Sequence, residues 1–223
     1  MNLEPIVFTA AEQEKLNLMF EQWMYHDHLK ALDKFKHLNA IAKPNGIVFI
    51  GDSITEGYPI CEFLTSKHKL YNRGISAITS QQLLDHLAVH ALDIKPSKVV
   101  ILIGTNDIER KLSAEKTVEN IDLLLKKIHQ SLPETAVYLT SIYPVNEGKD
   151  YTGMVQSRTN QVIQSLNKKI KAVADSYKYV TYLDFYDRLL KNGQLNPDYT
   201  KDGLHLNMTG YLYISQFIQA LVD

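Results

Sequence analysis

Short runs of β-forming residues alternate along this chain with longer stretches of helical period. The strand candidates are 47–50, 69–72, 98–103, 136–142 and 179–184, and the main helical stretches are 113–131, 155–177 and 207–222. Parallel strands need a crossover connection on the order of a dozen residues or more. The alternation therefore predicts an α/β fold with a parallel sheet of about five strands and helices on both faces. Such sheets bind ligands at the carboxyl ends of their strands.

The segment before the first predicted strand has a pattern of its own. Residues 10–41 carry apolar side chains at helical spacing, which predicts a helix that could break at 26–28. We expect its apolar stripe to pack on the core or to form a dimer face, which leaves a homodimer open. No repeat, low-complexity tract or Pro/Gly/Ser linker divides the 223 residues. We therefore expect one domain spanning 1–223, with 1–44 as a helical extension packed on it.

Charge and composition exclude several classes of partner. Lys plus Arg number 24 and Asp plus Glu number 25, so the formal charge of -1 provides no field to attract nucleic acid or an anionic membrane. The longest purely apolar runs, such as 99–103, fall far short of the roughly 20 residues that a membrane span needs. The first five residues have neither the basic start nor the apolar stretch of a secretory signal. We expect a cytoplasmic protein without a nucleic-acid partner or a membrane span.

Gly51-Asp52-Ser53 directly follows the first predicted strand. It places the Ser53 hydroxyl at the carboxyl edge of the sheet, in a glycine-containing turn where a nucleophile would be well placed. Taken alone, these residues describe an N-cap turn equally well. A nucleophilic serine also needs a base to take its proton, and an acceptor that holds this base in one tautomer.

Asp202-Gly203-Leu204-His205 offers such a base and acceptor near the end of the chain. The carboxylate of Asp202 lies three positions before the imidazole of His205, so one short loop could present both. A helix predicted from Asn207 would hold that loop against the sheet. On its own, an Asp-x-x-His sequence is frequent by chance, and a histidine in a loop is usually just solvated.

Two further candidates follow predicted strands. Asn106, in Gly104-Thr105-Asn106-Asp107, could donate its carboxamide to an oxyanion, although an Asx turn that opens a helix explains it as well. Gly74, after the second strand, lets a backbone N–H approach a ligand closely, although it could be an ordinary turn glycine.

Together and in this order, Ser53, Gly74, Asn106 and His205 resemble the four sequence blocks of the SGNH (GDSL) hydrolases. The resemblance covers the chain from about residue 47 to the end. It implies a flavodoxin-like three-layer fold and a catalytic triad of Ser53, His205 and Asp202. It also implies an oxyanion hole formed by the backbone N–H groups of Ser53 and Gly74 and by the side chain of Asn106.

Within that family, the runs at 72–75 and 102–107 are similar to bacterial relatives of the platelet-activating-factor acetylhydrolase catalytic subunits. Those relatives often have a glycine soon after the Gly74 block, where this chain has Ser-Ala-Ile at 76–78, so the pocket is expected to differ there. Four residues resemble segments that flank the family's pocket and are candidate substrate contacts, with helix capping and surface pairing as alternatives: Asp52, Tyr143, Arg158 and Asn160.

The implied reaction is hydrolysis of a small-molecule ester through an acyl-enzyme on Ser53. The segments between the motifs are short and leave no long apolar insertion for an acyl tunnel, so we expect a short acyl group such as acetyl. No step requires a metal or an organic cofactor. The alternatives are a carbohydrate acetylesterase or thioesterase with the same triad, a catalytically silent ligand-binding module, and a metal-dependent phosphoesterase that uses Asp52, Asp107 and Asp202.

Two other features could carry chemistry. Cys61 has no motif around it, and a single cysteine is usually a small buried hydrophobe. His26 and His28 could suggest a metal site, but alternating residues on a helix point to different faces, so surface residues are the better interpretation.

Overall fold

The computed structural model describes residues 8–223, which contain one parallel sheet of five strands. The strands are β1 (Ile47–Gly51), β2 (Leu70–Gly74), β3 (Lys98–Leu102), β4 (Ala136–Thr140) and β5 (Val180–Leu183). Their order across the sheet is β2-β1-β3-β4-β5, the flavodoxin-like order of doubly wound folds. A short antiparallel pair, β6 (Leu190–Lys191) and β7 (Gln194–Leu195), lies outside the sheet. The predicted α/β fold is confirmed.

Helices precede, connect and follow these strands. They are α1 (Ala10–Ala40), α2 (Ser53–Glu56), α3 (Ile60–Phe63), α4 (Ser80–Asp85), α5 (Leu87–His90), α6 (Thr105–Glu109), α7 (Ala114–Ser131), α8 (Thr152–Val155), α9 (Asn160–Asp175) and α10 (Met208–Val222). The helix predicted to start at residue 155 begins at Asn160 instead. Gln156 adopts a positive φ of 52° after α8, and the Thr159 side chain then caps α9 by accepting a hydrogen bond from the backbone of Val162.

The core lies on both faces of the sheet, because successive strand residues point to opposite sides. In β1, Val48 and Ile50 join the buried cluster that contains residues of α1, α7 and α9. Ile47 and Phe49 join the second cluster, which contains residues of α2, α3 and α10. The molecule therefore has the three layers implied by the family resemblance.

α1 is one continuous helix, so the break considered at 26–28 is absent. A capping box between Thr9 and Glu12 starts it. Its buried residues are His28, Leu32, Phe35 and Asn39, all in the carboxyl-terminal part. The earlier turns of this helix contain no buried residue.

Two expectations about single residues were wrong. His28 is buried rather than at the surface, because it lies on the stripe of α1 that packs on α5. Cys61 is exposed rather than buried, because the neighbouring Ile60 occupies the core-facing position of α3.

Across residues 8–223, every helix is too short or too polar to cross a lipid bilayer.

Candidate active site

The site lies where the order of the strands reverses, between β1 and β3. Ser53 is the first residue of α2, directly after β1, and Asn106 lies in α6, directly after β3. β1 and β3 are hydrogen-bonded neighbours, so their carboxyl ends place these two side chains at the same edge of the sheet. His205 reaches this edge from the loop that precedes α10.

Ser53, His205 and Asp202 form one chain of hydrogen bonds. Ser53 Oγ lies 2.9 Å from His205 Nε2, and His205 Nδ1 lies 2.7 Å from Asp202 Oδ2. This geometry lets His205 take the serine proton at Nε2 while Asp202 holds the ring by its other nitrogen. The structure therefore brings together the three residues that the sequence suggested as a triad.

The loop that carries His205 is fixed by its own hydrogen bonds. Asp202 Oδ1 accepts from the backbone N–H of His205 at 2.8 Å, and Thr200 Oγ1 donates to the His205 carbonyl at 2.7 Å. Gly203 has a positive φ of 84°, and a Cβ there would lie 2.5 Å from Tyr151 Cβ. A glycine is therefore needed between the acid and the base.

Asp202 is suited to remain ionised beside the base. Burial alone would raise the pKa of its carboxyl group. The hydrogen bonds from the backbone and ring of His205 outweigh burial, so the pKa lies below its ordinary value.

Asn106 is held in one orientation by two opposite hydrogen bonds. Its Nδ2 donates to the carbonyl of Ile78 at 3.0 Å, and its Oδ1 accepts from Arg158 Nη2 at 3.0 Å. A flipped amide would place donor against donor and acceptor against acceptor. Asn106 thus keeps one N–H of Nδ2 to offer to a ligand in the cleft.

Gly74 ends β2 as the sequence predicted, but its backbone N–H already has a partner. Its N–H donates to Asn72 Oδ1 at 2.9 Å, and a Cβ on Gly74 would collide with the backbone of Glu56. Gly74 is therefore required for the close packing of β2 against α2, and its N–H already has an acceptor. The prediction that it supplies an oxyanion donor does not fit this geometry.

Ala77 is a second candidate for the backbone donor. It lines the same cleft as Ser53, Asn106 and His205. Its φ of 59° lies in the left-handed region. Within residues 8–223 the N–H groups of Ala77 and Ser53 donate to no acceptor. The departure at 76–78 noted in the sequence was the signal that could have identified Ala77.

Three of the four candidate substrate contacts lie in the interior. Asp52 caps α2 by accepting from the N–H of Ile54 at 3.0 Å, and burial raises its pKa to about 7. Tyr143 is buried in the apolar cluster behind α2. Asn160 bonds both backbone groups of Val145, at 3.0 and 2.8 Å. Their burial does not fit direct contact with a substrate.

Arg158 is the fourth candidate, and it does line the cleft. It is 5% exposed, and its guanidinium bonds Asn106 Oδ1 and the carbonyl of Thr105. No acidic side chain lies within ion-pair distance of it among the described residues. Its observed role is to position Asn106.

Asp107 has structural partners. It accepts from the N–H of Ser80 at 2.9 Å, from Ser80 Oγ and from Thr117 Oγ1 at 3.3 Å, which ties α6 to α4 and α7. In the part of the chain that the structure describes, no three His, Cys, Asp or Glu side chains are grouped as metal ligands.

A cleft of about 860 Å³ opens over Ser53 and His205. One side is formed by four residues of α1, here called the α1 wall: Asn17, Phe20, Glu21 and Met24. The sequence left open whether this helix shapes the pocket. The spacing of these residues at three and four positions was the available signal, but it could not reveal which surface this face of the helix covers.

Comparison with known proteins agrees with this geometry. Residues 49–212 match the GDSL-like Lipase/Acylhydrolase family. A solved structure from Streptococcus pneumonia, described under the name platelet activating factor, is similar to this chain with a TM-score of 0.89 and 33% identity. The match covers 96% of this chain and 100% of that one.

Two curated relatives are similar at lower identity. N-acylneuraminate cytidylyltransferase of Escherichia coli is 27% identical over 188 residues, which cover 82% of this chain and 42% of that protein. Platelet-activating factor acetylhydrolase IB subunit beta homolog of Drosophila melanogaster is 28% identical over 136 residues, which cover 59% of each protein. The chain thus spans less than two thirds of either relative.

The family match covers most of the chain, and the motif residues it includes meet at one edge of the sheet. This chain belongs to the GDSL-like lipase/acylhydrolase family of hydrolases.

Proposed function

We propose that this chain is a serine esterase that hydrolyses a short-chain acyl ester, in the simplest case an acetyl ester, through an acyl-enzyme on Ser53. The observation that carries the proposal is the hydrogen-bonded chain from Ser53 through His205 to Asp202 at an open cleft. A buried serine would have no access to a substrate, and a serine without a histidine partner would have no base.

In the proposed reaction, His205 Nε2 takes the proton of Ser53 as Oγ attacks the ester carbonyl. The N–H groups of Ser53 and Ala77 and the free N–H of Asn106 stabilise the oxyanion. The tetrahedral intermediate collapses, and His205 gives its proton to the leaving alkoxide. A water molecule then attacks the acyl-enzyme by the same route, which releases the acid and restores Ser53.

The packing behind α2 supports a short acyl group. The apolar interior there, lined by Ile54, Tyr143 and Tyr211 among others, leaves a cavity of about 20 Å³. That space holds about one water molecule, for which roughly 10–15 Å³ open to the centre of a water-sized sphere is enough. A long acyl chain therefore finds no tunnel into the core at this position. The acetylhydrolase name of the Drosophila relative points the same way.

Replacement of the nucleophile tests the proposal. Ser53→Ala should lower turnover of p-nitrophenyl acetate by about 10^6 while the far-UV circular dichroism spectrum stays unchanged. Across p-nitrophenyl esters from acetate to palmitate, kcat/KM of the wild-type chain should peak between acetate and butyrate. Unchanged turnover in Ser53→Ala would remove Ser53 from the mechanism, and a peak at octanoate or longer would contradict the short acyl group.

A second candidate is an acetylated carbohydrate, cleaved by the same triad. It is favoured by the polar side chains that line the cleft, which include Asn17, Glu21, Glu109 and Gln156. Competition between an acetylated sugar and p-nitrophenyl acetate at equal concentrations would separate the two candidates by their kcat/KM ratio.

A further inference from the structure

The α1 wall continues the stripe by which α1 packs on the core. The buried residues His28, Leu32, Phe35 and Asn39 follow one another at steps of three and four positions. Met24 lies four positions before His28, and Phe20 lies four before Met24, so both lie on the same face of the helix. The carboxyl-terminal part of this face meets the core, whereas its earlier part lines the cleft that contains Ser53.

The cleft is much larger than the acyl group proposed for it. Its volume of about 860 Å³ lies near the upper end of the range for small-molecule sites. An acetyl group fills only a small part of that volume. On the proposed esterase function, most of the cleft must therefore be available to the alcohol part of the ester.

The lining of the cleft suits an uncharged alcohol. The acidic residues Glu21 and Glu109 are balanced there by the basic residues Arg110 and Arg158. Among the described lining residues, the two acidic and two basic side chains leave no excess charge that would select an ionic leaving group. Phe20, Met24, Met154 and Leu204 supply apolar surface at the same cleft.

We propose that Phe20 and Met24 of α1 form a subsite for the apolar part of the leaving alcohol, which makes the amino-terminal half of α1 a specificity element of this hydrolase. This inference rests on the proposed esterase function. It also explains why a helix with no buried residue in its first turns presents apolar side chains toward a site at the carboxyl edge of the sheet.

A series of n-alkyl acetates tests the subsite by activity. With the acyl group held constant, kcat/KM should rise from ethyl to octyl acetate by on the order of two- to fourfold per methylene bound. Met24→Ala and Phe20→Ala should lower the ratio of kcat/KM for octyl acetate to kcat/KM for ethyl acetate about tenfold. Met24→Leu should retain the wild-type profile, because it keeps an apolar side chain of similar size.

Met19 offers a matched control on the same helix. It is 56% exposed and does not line the cleft. Met19→Ala makes the same substitution as Met24→Ala at a position on a different face of α1. The subsite is disproved if Met19→Ala and Met24→Ala give the same alkyl acetate profile. It is also disproved if Met24→Ala changes the kcat/KM profile only across esters whose acyl chain is varied.

Binding of the product alcohol gives a second readout that does not depend on catalysis. Trp23 is the only tryptophan in the sequence, and its ring lies 5.9 Å from that of Phe20. In the Ser53→Ala variant, 1-octanol should shift the Trp23 fluorescence in a saturable way, and Met24→Ala should weaken that binding about tenfold while Met19→Ala does not. If no ester is hydrolysed but octanol binds in this pattern, the esterase proposal fails and with it the role in ester specificity, and only an apolar binding site at the α1 wall remains. If hydrolysis depends on Ser53 but Met24→Ala leaves octanol binding unchanged, the subsite is disproved and the esterase proposal stands.

Discussion

Asn106 has one N–H that its neighbours leave free, and its orientation is fixed from both sides by Ile78 and Arg158. A donor of this kind acts on charge that develops in the transition state. We expect Asn106→Ala to lower kcat by on the order of 10^2 to 10^3 with little change in KM. Steady-state kinetics on p-nitrophenyl acetate measures both constants, and an effect confined to KM would make Asn106 a ground-state contact instead.

Substitutions at Gly74 and Ala77 are expected to affect different properties, stability at Gly74 and turnover at Ala77. Gly74→Ala should lower the melting temperature, because its Cβ would collide with the backbone of Glu56. Ala77→Gly should retain kcat, because glycine adopts a positive φ readily and keeps the N–H. Ala77→Val should lower kcat by at least tenfold, because a β-branched residue resists a φ of 59° and would displace the N–H.

Thermal unfolding and steady-state kinetics on the same three variants separate these effects. A loss of kcat in Gly74→Ala without loss of stability would return the oxyanion donor to Gly74. Retained kcat in Ala77→Val would show that the N–H of Ala77 takes no part.

The sequence located the three residues of the hydrogen-bonded chain because each lies in a short motif at a strand end or in the final loop. The departure at 76–78 pointed to Ala77, but the sequence could not exclude Gly74 as the backbone donor, because that depends on a side-chain contact. Asn72 Oδ1 accepts a hydrogen bond from the backbone N–H of Gly74, and the motif does not predict that contact. The pairing of Arg158 with Asn106 joins residues 52 positions apart and was equally inaccessible.

At the scale of elements, the docking of α1 depends on a neutral histidine. His90 Nδ1 in α5 donates to the carbonyl of Arg73, 2.8 Å away, and the other ring nitrogen has no partner among the described residues. Burial lowers the pKa of His90 to about 4, although the hydrogen bond to the Arg73 carbonyl opposes this effect. Charges on His28, His86 and the Arg73 guanidinium lower the pKa further. The unfolded chain, with an ordinary histidine pKa near 6.5, binds a proton more readily between those values.

The stability that neutral His90 contributes is therefore fully present above about pH 6.5 and is lost as the pH falls toward 4. Between pH 6.5 and 5 we expect the free energy of unfolding to fall by about 2 kcal/mol from this group. His90→Asn, which can still bond the carbonyl of Arg73, should reduce this acid sensitivity. Urea denaturation at several pH values measures it.

His37 is the matched control, because it lies on α1 with its side chain 78% exposed. His37→Asn should leave the pH dependence of unfolding unchanged. Equal acid sensitivity in His90→Asn and the wild-type chain would contradict the assignment to His90.

Element types followed from the period of the apolar residues, but element boundaries and surroundings did not. The strands at 47–50 and 98–103 were located within a residue or two, because their apolar runs are short and end at Gly51 and Gly104. The apolar stripe on α1 was apparent from the spacing of its residues in the sequence. The surface that this stripe faces was not apparent from the sequence, because the same apolar spacing suits a core, a dimer interface or the wall of a cleft.

At the scale of the whole molecule, the strand order brings Ser53 and Asn106 to one edge of one sheet, where His205 meets Ser53. Alternating strands and helices predicted that edge, because parallel strands all end there. The homodimer, the single-domain organisation and the cytoplasmic location stay predictions of the sequence.

Covalent labelling of Ser53 tests the central claim most directly. The wild-type chain, incubated with a fluorophosphonate probe, should gain one adduct in its intact mass, and peptide mapping should place that adduct on Ser53. Ser53→Ala should remain unlabelled, whereas Ser76→Ala, which removes a neighbouring serine of the same cleft, should still be labelled on Ser53. A folded wild-type chain that gains no adduct, or that carries it on another residue, would contradict the account.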